Sequence, residues 1–253
     1  MEQWQDQSII LAVRGHGENG AIVSLISREY GRQSGYIRGA HSSKNRGTLE
    51  IGNIVDANWR ARTSDSLGYL TLELSHSTAS RIMQDALKLA ALQSACSLCD
   101  QALPEKEGHA GLYDGLAALL EILQSDIWAQ AYVMWEVALL KELGFALDLS
   151  RCAAGGDSGE LCYVSPKTGR AVSQEAAQPY KDKLLPLPEF LKPCGRESGE
   201  NDVITGLNLT RYFLEHWVFV HHNKGLPEAR VRLDLRFAED FAKTDGLKQR
   251  DVG

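Results

Sequence analysis

Along the first 75 residues, short β-branched or aromatic runs recur between Gly, Asn, Ser and Asp turn signals, a spacing that predicts strands rather than helices. Five runs stand out, at 8–13, 22–27, 34–38, 51–62 and 67–74. The last alternates cleanly, with Leu70, Leu72 and Leu74 on one face. Five short strands with no helix between them predict a small barrel of the oligonucleotide/oligosaccharide-binding (OB) kind, which closes its sheet edges and keeps one face for ligands. Within it, 15–20 reads as a flexible turn between the first two strands. The polar, cationic segment 39–47 reads as a mobile loop.

After residue 75 the hydrophobic period changes from two to 3.6. Ser77 or Thr78 is placed to cap a helix through Ile82, Met83, Ala86, Leu87 and Ala90, and Leu112, Leu116, Leu119, Leu120 and Leu123 form the stripe of a second. The stretch 128–143 is apolar on most faces and predicts a central bundle helix ended at Gly144. Asp202 is placed to cap another, with Val203, Leu207, Thr210, Leu214 and Trp217 on one face. The stretches 150–167 and 179–193 are rich in turn residues and read as irregular connections. At 231–237 apolar and charged residues alternate as in a strand, in a composition that also tolerates a helix. The expected fold is therefore α+β: an OB barrel over 1–78, then an all-α domain over 79–245 with an irregular insert at about 150–195, and a flexible tail at 246–253.

Composition changes this picture little, since 43% hydrophobic and 24% charged residues are ordinary for a globular protein and no apolar run reaches membrane-spanning length. The acidic and amide-rich N-terminus lacks the basic and apolar regions of a secretory signal, so the expected location is cytoplasmic, away from any membrane. Charge changes it more. The net −6 argues against a nucleic-acid partner, but residues 1–78 carry eight basic and eight acidic residues, so all the net negative charge lies later. Between residues 28 and 46, Arg28, Arg32, Arg38, Lys44 and Arg46 face Glu29 alone.

Those five cations, with Arg60 and Arg62, form a candidate track for a phosphodiester backbone. Tyr30, Tyr36, Trp59 and Tyr69 lie among them. Rings between cations suit single strands, because bases stack on the rings while arginines neutralise phosphates. The competing reading is a solvated charged surface over core aromatics.

Candidate catalytic chemistry is thin. No GxSxG, HExxH, GxxxxGK[ST] or GxGxxG motif occurs, so no enzyme is expected. His216, His221 and His222 read as a helix end, where the dipole favours positive charge. Five cysteines invite a metal, but Cys96 and Cys99 share a helix face with no second CxxC, and Cys152, Cys162 and Cys194 are three scattered thiols. Neither metal nor cofactor is expected, and structural disulfides are not expected in a cytoplasmic chain.

Several segments in order resemble a known family. They are Gly17-Glu18 before the second strand, Tyr30-Gly31-Arg32 leading to Tyr36-Ile37-Arg38-Gly39-Ala40, Lys141-Glu142-Leu143-Gly144-Phe145 with Leu147-Asp148-Leu149, and Cys152 followed by Ser165-Pro166-Lys167-Thr168-Gly169. The chain is similar to the RecO family of bacterial DNA repair and recombination mediators over most of its length. The resemblance implies an OB barrel, a helical domain and a non-enzymatic role. It implies binding of single- and double-stranded DNA, annealing of complementary strands, contacts with RecR and the single-strand-binding protein, and assistance to loading of the recombinase RecA. It also implies a groove in the helical domain for the acidic, hydrophobic-ended tail of the single-strand-binding protein, with Arg81, Lys88, Lys141 and Arg211 as candidate cations. Many members carry a four-cysteine zinc module. Here Cys152 matches its first position, while Gly155, Ser173 and Ala176 fall where the other thiolates would be, so the resemblance is to the metal-free branch. The alternative reading is a protein-interaction adaptor whose barrel binds a peptide without touching DNA.

Overall fold

The computed structural model of the chain describes residues 2–63, 66–155, 160–193, 195, 199–220 and 225–250. Strands β1 (Glu2–His16), β2 (Gly20–Ser27), β3 (Gly31–Arg38), β4 (Ile54–Ala61) and β5 (Gly68–His76) close a barrel in the order β1-β2-β3-β5-β4. All its ladders are antiparallel except β3 with β5, which pair in parallel at Gly35–Gly68 and Tyr36–Tyr69. The interior is filled by one inward residue in two from every strand, among them Trp4, Ile10, Val23, Leu25, Ile37, Val55, Trp59 and Leu70. The chain is thus α+β, a five-stranded barrel followed by a helical region.

Two parts of the barrel differ from the sequence expectation. β1 begins at Glu2, six residues earlier than its apolar run, because Gln3, Gln5 and Gln7 face outward and only Trp4 marks the inner side, a pattern too polar to read as a strand alone. The segment expected to be a mobile loop contains α1 (Ser43–Thr48), whose first turn is capped by the Ser42 hydroxyl accepting from the Asn45 backbone N–H at 3.3 Å.

The helix expected from residue 77 onward is broken into α2 (Ala79–Ile82) and α3 (Ala86–Ala102). Asp85 causes the break: its carboxylate accepts from the N–H groups of Leu87 and Lys88 at 3.0 and 3.1 Å, starting a new helix in place of continuing the old one. α4 (Ala110–Ile122) and α5 (Trp128–Glu142) follow as expected, and Gly144, at φ +85°, ends α5 with its N–H bonded to the Lys141 carbonyl.

The insert is less irregular than expected. β6 (Leu161–Val164), β7 (Ala171–Ser173) and β8 (Leu185–Pro186) form a small sheet in the order β7-β6-β8, with a short α6 (Gln174–Ala177). In α7 (Glu200–Phe213) Asp202 is not the cap; Gly199 is, and the Asp202 carboxylate instead accepts from the Glu189 backbone at 3.2 Å. The segment 231–237 is helical, part of α8 (Glu228–Arg250). Arg230, Val231, Leu233, Asp234 and Phe237 are the buried or half-buried positions while Leu235 is 61% exposed, a helical spacing that overrides the alternation. The helix also runs into the expected tail, of which 251–253 lie outside the described residues.

By compactness the chain divides into Met1–Trp128 with Pro227–Leu233, and Ala129–Leu226 with Asp234–Gly253. The first unit thus holds α2, α3 and α4 with the barrel, whereas the expected boundary at 78/79 follows the change of hydrophobic period. In the first unit α3 packs on β1 and β2. Ile9, Leu11, Ser24 and Ile26, which point away from the barrel interior, are fully buried. Ala91 and Ala95 on α3 are small enough to let the helix approach that closely. In the second unit, the buried Glu136 carboxylate accepts from the Tyr132 hydroxyl at 2.9 Å and from the Thr210 hydroxyl, the satisfaction that a buried acid requires. No helix among the described residues is long and apolar enough to cross a membrane.

Candidate nucleic-acid interface

α3 packs on β1 and β2, and the connection after it covers the Arg32–Ser34 end of β3, where the Ser34 hydroxyl donates to Glu105 at 3.0 Å; the outer face of β4 and β5, with the Tyr36–Arg38 end of β3, is left open. Strand register sets its chemistry. On β4 the outward residues are Asp56, Asn58 and Arg60, opposite Glu73, Thr71 and Tyr69 of β5. On the other side of β5, Tyr69 pairs with Tyr36 of β3. The two rings meet edge to face, 5.9 Å apart at 90°, and His16 meets Tyr36 in the same way at 6.0 Å and 80°. Tyr36 lies over Gly20, where a Cβ would sit 2.3 Å from its hydroxyl. His16, Tyr36, Tyr69 and Arg60 therefore run across the strands in one row, and Tyr69 is 68% exposed.

The expected cation track divides. Arg38, Arg46, Arg60 and Arg62 are exposed and meet no carboxylate among the described residues; Arg60 donates to the Asn58 side chain at 3.1 Å. Arg38 shares the outward side of β3 with Tyr36, and Arg62 follows Arg60 just beyond β4. Lys44 has its backbone in α1, and its side chain lies outside the described part.

Arg32 and Arg28 differ from the rest of that track in meeting carboxylates. Arg32 is only 17% exposed; it donates to the Leu103 carbonyl at 2.8 Å and lies 3.3 Å from Glu105 and 3.9 Å from Asp100. Arg28 lies 3.0 Å from Asp114, whose hydrogen bond and charge raise the guanidinium above its ordinary value. Arg14, which the sequence reading passed over, pairs with Asp100. These three arginines fasten α3, α4 and the connection between them to the barrel. The aromatic set divides as well. Trp59 is 3% exposed, donates to the Ser34 carbonyl at 3.0 Å and stacks in the core with Trp4, on which Tyr30 also stacks at 5.0 Å. Of the four rings, Tyr36 and Tyr69 are the ones that shape the open face. His16 lies in the stretch expected to be a turn; the outward parity of Arg14 and His16 after the β1 bulge is the signal that marks it.

The candidate peptide-groove cations fall in different units. Arg81 lies 4.0 Å from Glu121 and Lys88 donates to the Ser125 carbonyl at 3.3 Å; both line a hollow with Ile82, Met83 and Gln124 in the first unit. An adjoining hollow is more apolar, lined by Ile51, Ala79, Met83, Leu89 and Leu92. In the second unit Lys141 is exposed on α5, while Arg211 is held by Glu215 at 2.7 Å and Asp234 at 3.4 Å.

No group of three or more metal-ligating side chains is present among the described residues. The Cys152 thiol touches Ser173: its sulfur accepts from the Ser173 N–H at 3.3 Å and lies 3.5 Å from the hydroxyl, and these bonds lower its pKa. Two of the positions compared with the zinc module thus meet through hydrogen bonds. Burial pushes Cys96 up to about 12 and Cys99 well above its ordinary value, so neither is a ready thiolate. His216 stacks on Tyr212 at 4.1 Å; His221, His222 and Cys194 lie outside the described residues.

Comparison with known proteins identifies the lineage. Residues 1–78 match the family described as Recombination protein O N terminal, and residues 83–225 match Recombination protein O C terminal. The DNA repair protein RecO of Rhodospirillum centenum is 47% identical over 238 residues, covering 93% of this chain and 94% of its own. That of Rhodospirillum rubrum is 45% identical, covering 92% and 95%, and that of Caulobacter vibrioides (strain NA1000 / CB15N) is 44% identical, covering 94% and 98%. The barrel, the helical region that follows it and these matches along nearly the whole chain agree: the chain belongs to the RecO family of DNA repair proteins.

Proposed function

We propose that this protein is a non-enzymatic, cytoplasmic DNA-binding mediator of recombinational repair, which binds single- and double-stranded DNA on its barrel and anneals complementary strands. The observation that carries the reading is the row His16–Tyr36–Tyr69–Arg60 on the uncovered barrel face, flanked by Arg38 and Arg62, with no carboxylate against these arginines among the described residues. Exposed rings give bases a surface worth about 1–3 kcal/mol each, and the arginines supply the sequence-independent attraction to phosphate. Annealing needs no catalytic residue. Two strands held on one cationic surface meet at raised effective concentration with their repulsion screened.

Family membership supports the partners: RecR, the single-strand-binding protein and, through them, the recombinase RecA. The hollows around Met83 have the chemistry to take an acidic, hydrophobic-ended tail, with Arg81 and Lys88 beside an apolar floor.

A titration of a fluorescent oligothymidylate at graded salt tests the DNA reading. Replacing Arg38, Arg60 and Arg62 by Ala in the full chain should weaken binding and flatten the log–log salt slope by about two units, at about 0.7 per lost phosphate contact. An unchanged slope in a folded triple variant would leave the adaptor reading in its place.

A further inference from the structure

The open barrel face is polar in both senses of the word. Its cationic, aromatic row lies at the Arg60–Tyr69–Tyr36 level, and four residues further along the same strands stand Asp56 and Glu73. Strand geometry puts the two levels about 13 Å apart. Between them lie Asn58, Thr71 and Gln5, neutral and hydrogen-bonding, and with Arg60, Tyr69, Asp56 and Glu73 they line one continuous hollow.

Asp56 and Glu73 are direct cross-strand partners, both exposed, and neither meets a cation among the described residues. Like charges placed opposite each other destabilise a sheet, and nothing in this ladder offsets them. The carboxylates nearby add to the same sign. Asp6 is hydrogen-bonded at the barrel end to the Ser27 hydroxyl and the Glu29 N–H, and Asp114 neutralises Arg28, the cation at that end. Tyr113, which donates to Gln7 at 3.1 Å, is pushed up to about 12 by burial first and then by Asp6 and Asp114, against the opposing charge of Arg28, with Asp56 the last contributor.

We propose that Asp56 and Glu73 act as a repulsive boundary that confines a single DNA strand to the Tyr36–Tyr69–Arg60 row, so that the strand crosses β3, β5 and β4 and does not run along them. This deepens the DNA reading above and rests on it. A path along the strands would carry phosphates onto two carboxylates. A path across them keeps the phosphates beside Arg38, Arg60 and Arg62 and the bases over Tyr36 and Tyr69. The separation of about 13 Å exceeds the Debye length of about 8 Å at physiological salt, so the boundary is sharp there and reaches the cationic row only when salt is low. The two carboxylates thus set the length of strand engaged more than the affinity of the row itself.

The test uses the full chain, fluorescein-labelled oligothymidylates of graded length, and the variants Asp56→Asn, Glu73→Gln and both together. The double variant should bind the longer oligonucleotides about three- to tenfold more tightly at about 50 mM salt, with a longer minimal footprint, and the gain should shrink towards none at about 0.5 M. Glu142→Gln, which removes one exposed carboxylate from α5 and so matches each single variant in net charge, should change neither affinity nor footprint. An equal gain from Glu142→Gln overturns the proposal, because it would make the effect one of net charge. Unchanged affinity and footprint in the acidic-row variants, while Tyr69→Ala weakens binding, overturns the boundary and leaves the DNA reading standing. If neither Tyr69→Ala nor the acidic-row variants alter binding, both fall.

Discussion

The two sides of the barrel carry the same kind of residue and use it in opposite ways. On the covered side Arg14 and Arg32 close on Asp100 and Glu105, and Arg28 closes on Asp114. On the open side Arg38, Arg60 and Arg62 meet no carboxylate among the described residues, and beside them Tyr69 is exposed and Tyr36 half-buried, outside the core in which Trp4 and Trp59 stack. A cluster of arginines in one short stretch of sequence is therefore two populations. One fastens helices to a barrel, the other leaves positive charge facing solvent, and what separates them is which face α3 and α4 cover.

The largest effect should come from the covered side. Gly31, at φ +67°, lies so close to the connection after α3 that a Cβ would fall 1.8 Å from the Glu107 carbonyl oxygen. Gly31→Ala should cost about 2–5 kcal/mol through left-handed strain and a clash with backbone that cannot rotate away. A chemical-denaturation midpoint equal to the parent's would remove the claim that this connection is clamped to the β2–β3 turn.

Next is Asp100→Asn, which keeps the shape of a buried side chain but strips its charge from Arg14 and Arg32. A loss of about 1–3 kcal/mol is expected. The same denaturation experiment on Arg60→Ala or Arg62→Ala should show a change within about 0.5 kcal/mol, since exposed charges without partners contribute little to stability. Equal losses on both sides would erase the contrast.

The smallest effects concern the thiols. Burial raises the pKa of Cys96 and Cys99 and closes them to reagent, so they should resist alkylation in the folded protein, while Cys162, raised by burial too but half-exposed, reacts. Mass spectrometry of the labelled peptides reads this, and rapid labelling of Cys96 would contradict it. Metal analysis of protein purified without chelator should find no stoichiometric zinc, with Cys152 held by Ser173.

Much of the fold was legible because barrel interiors and helix stripes are written in apolar residues: the five strands, α4, α5 and the Gly144 stop followed from period and turn chemistry alone. What escaped was decided by polar contacts at a distance in sequence. α1 depends on a single Ser42 cap, the break before α3 on Asp85, and the helical state of 231–237 on which of its residues found cover. The site shows the same limit. The sequence marked Arg28, Arg32, Arg38 and Arg60 alike, but only the register that puts Tyr69 beside Arg60 and Tyr36, and the carboxylates that reach Arg28 and Arg32, distinguish them. Trp59 was indistinguishable from Tyr69 by composition; strand parity turned one inward and the other out.

The central claim is that DNA lies on the row of the open face, and photocrosslinking tests it most directly. Full-length protein would be irradiated with an oligothymidylate carrying 5-iododeoxyuridine, digested, and its adducts mapped by mass spectrometry. The account predicts adducts on Tyr69 and Tyr36, lost when both are replaced by Leu and suppressed at high salt. Adducts confined to α5, α7 or the 150–195 insert, with the two tyrosines unlabelled, would contradict it.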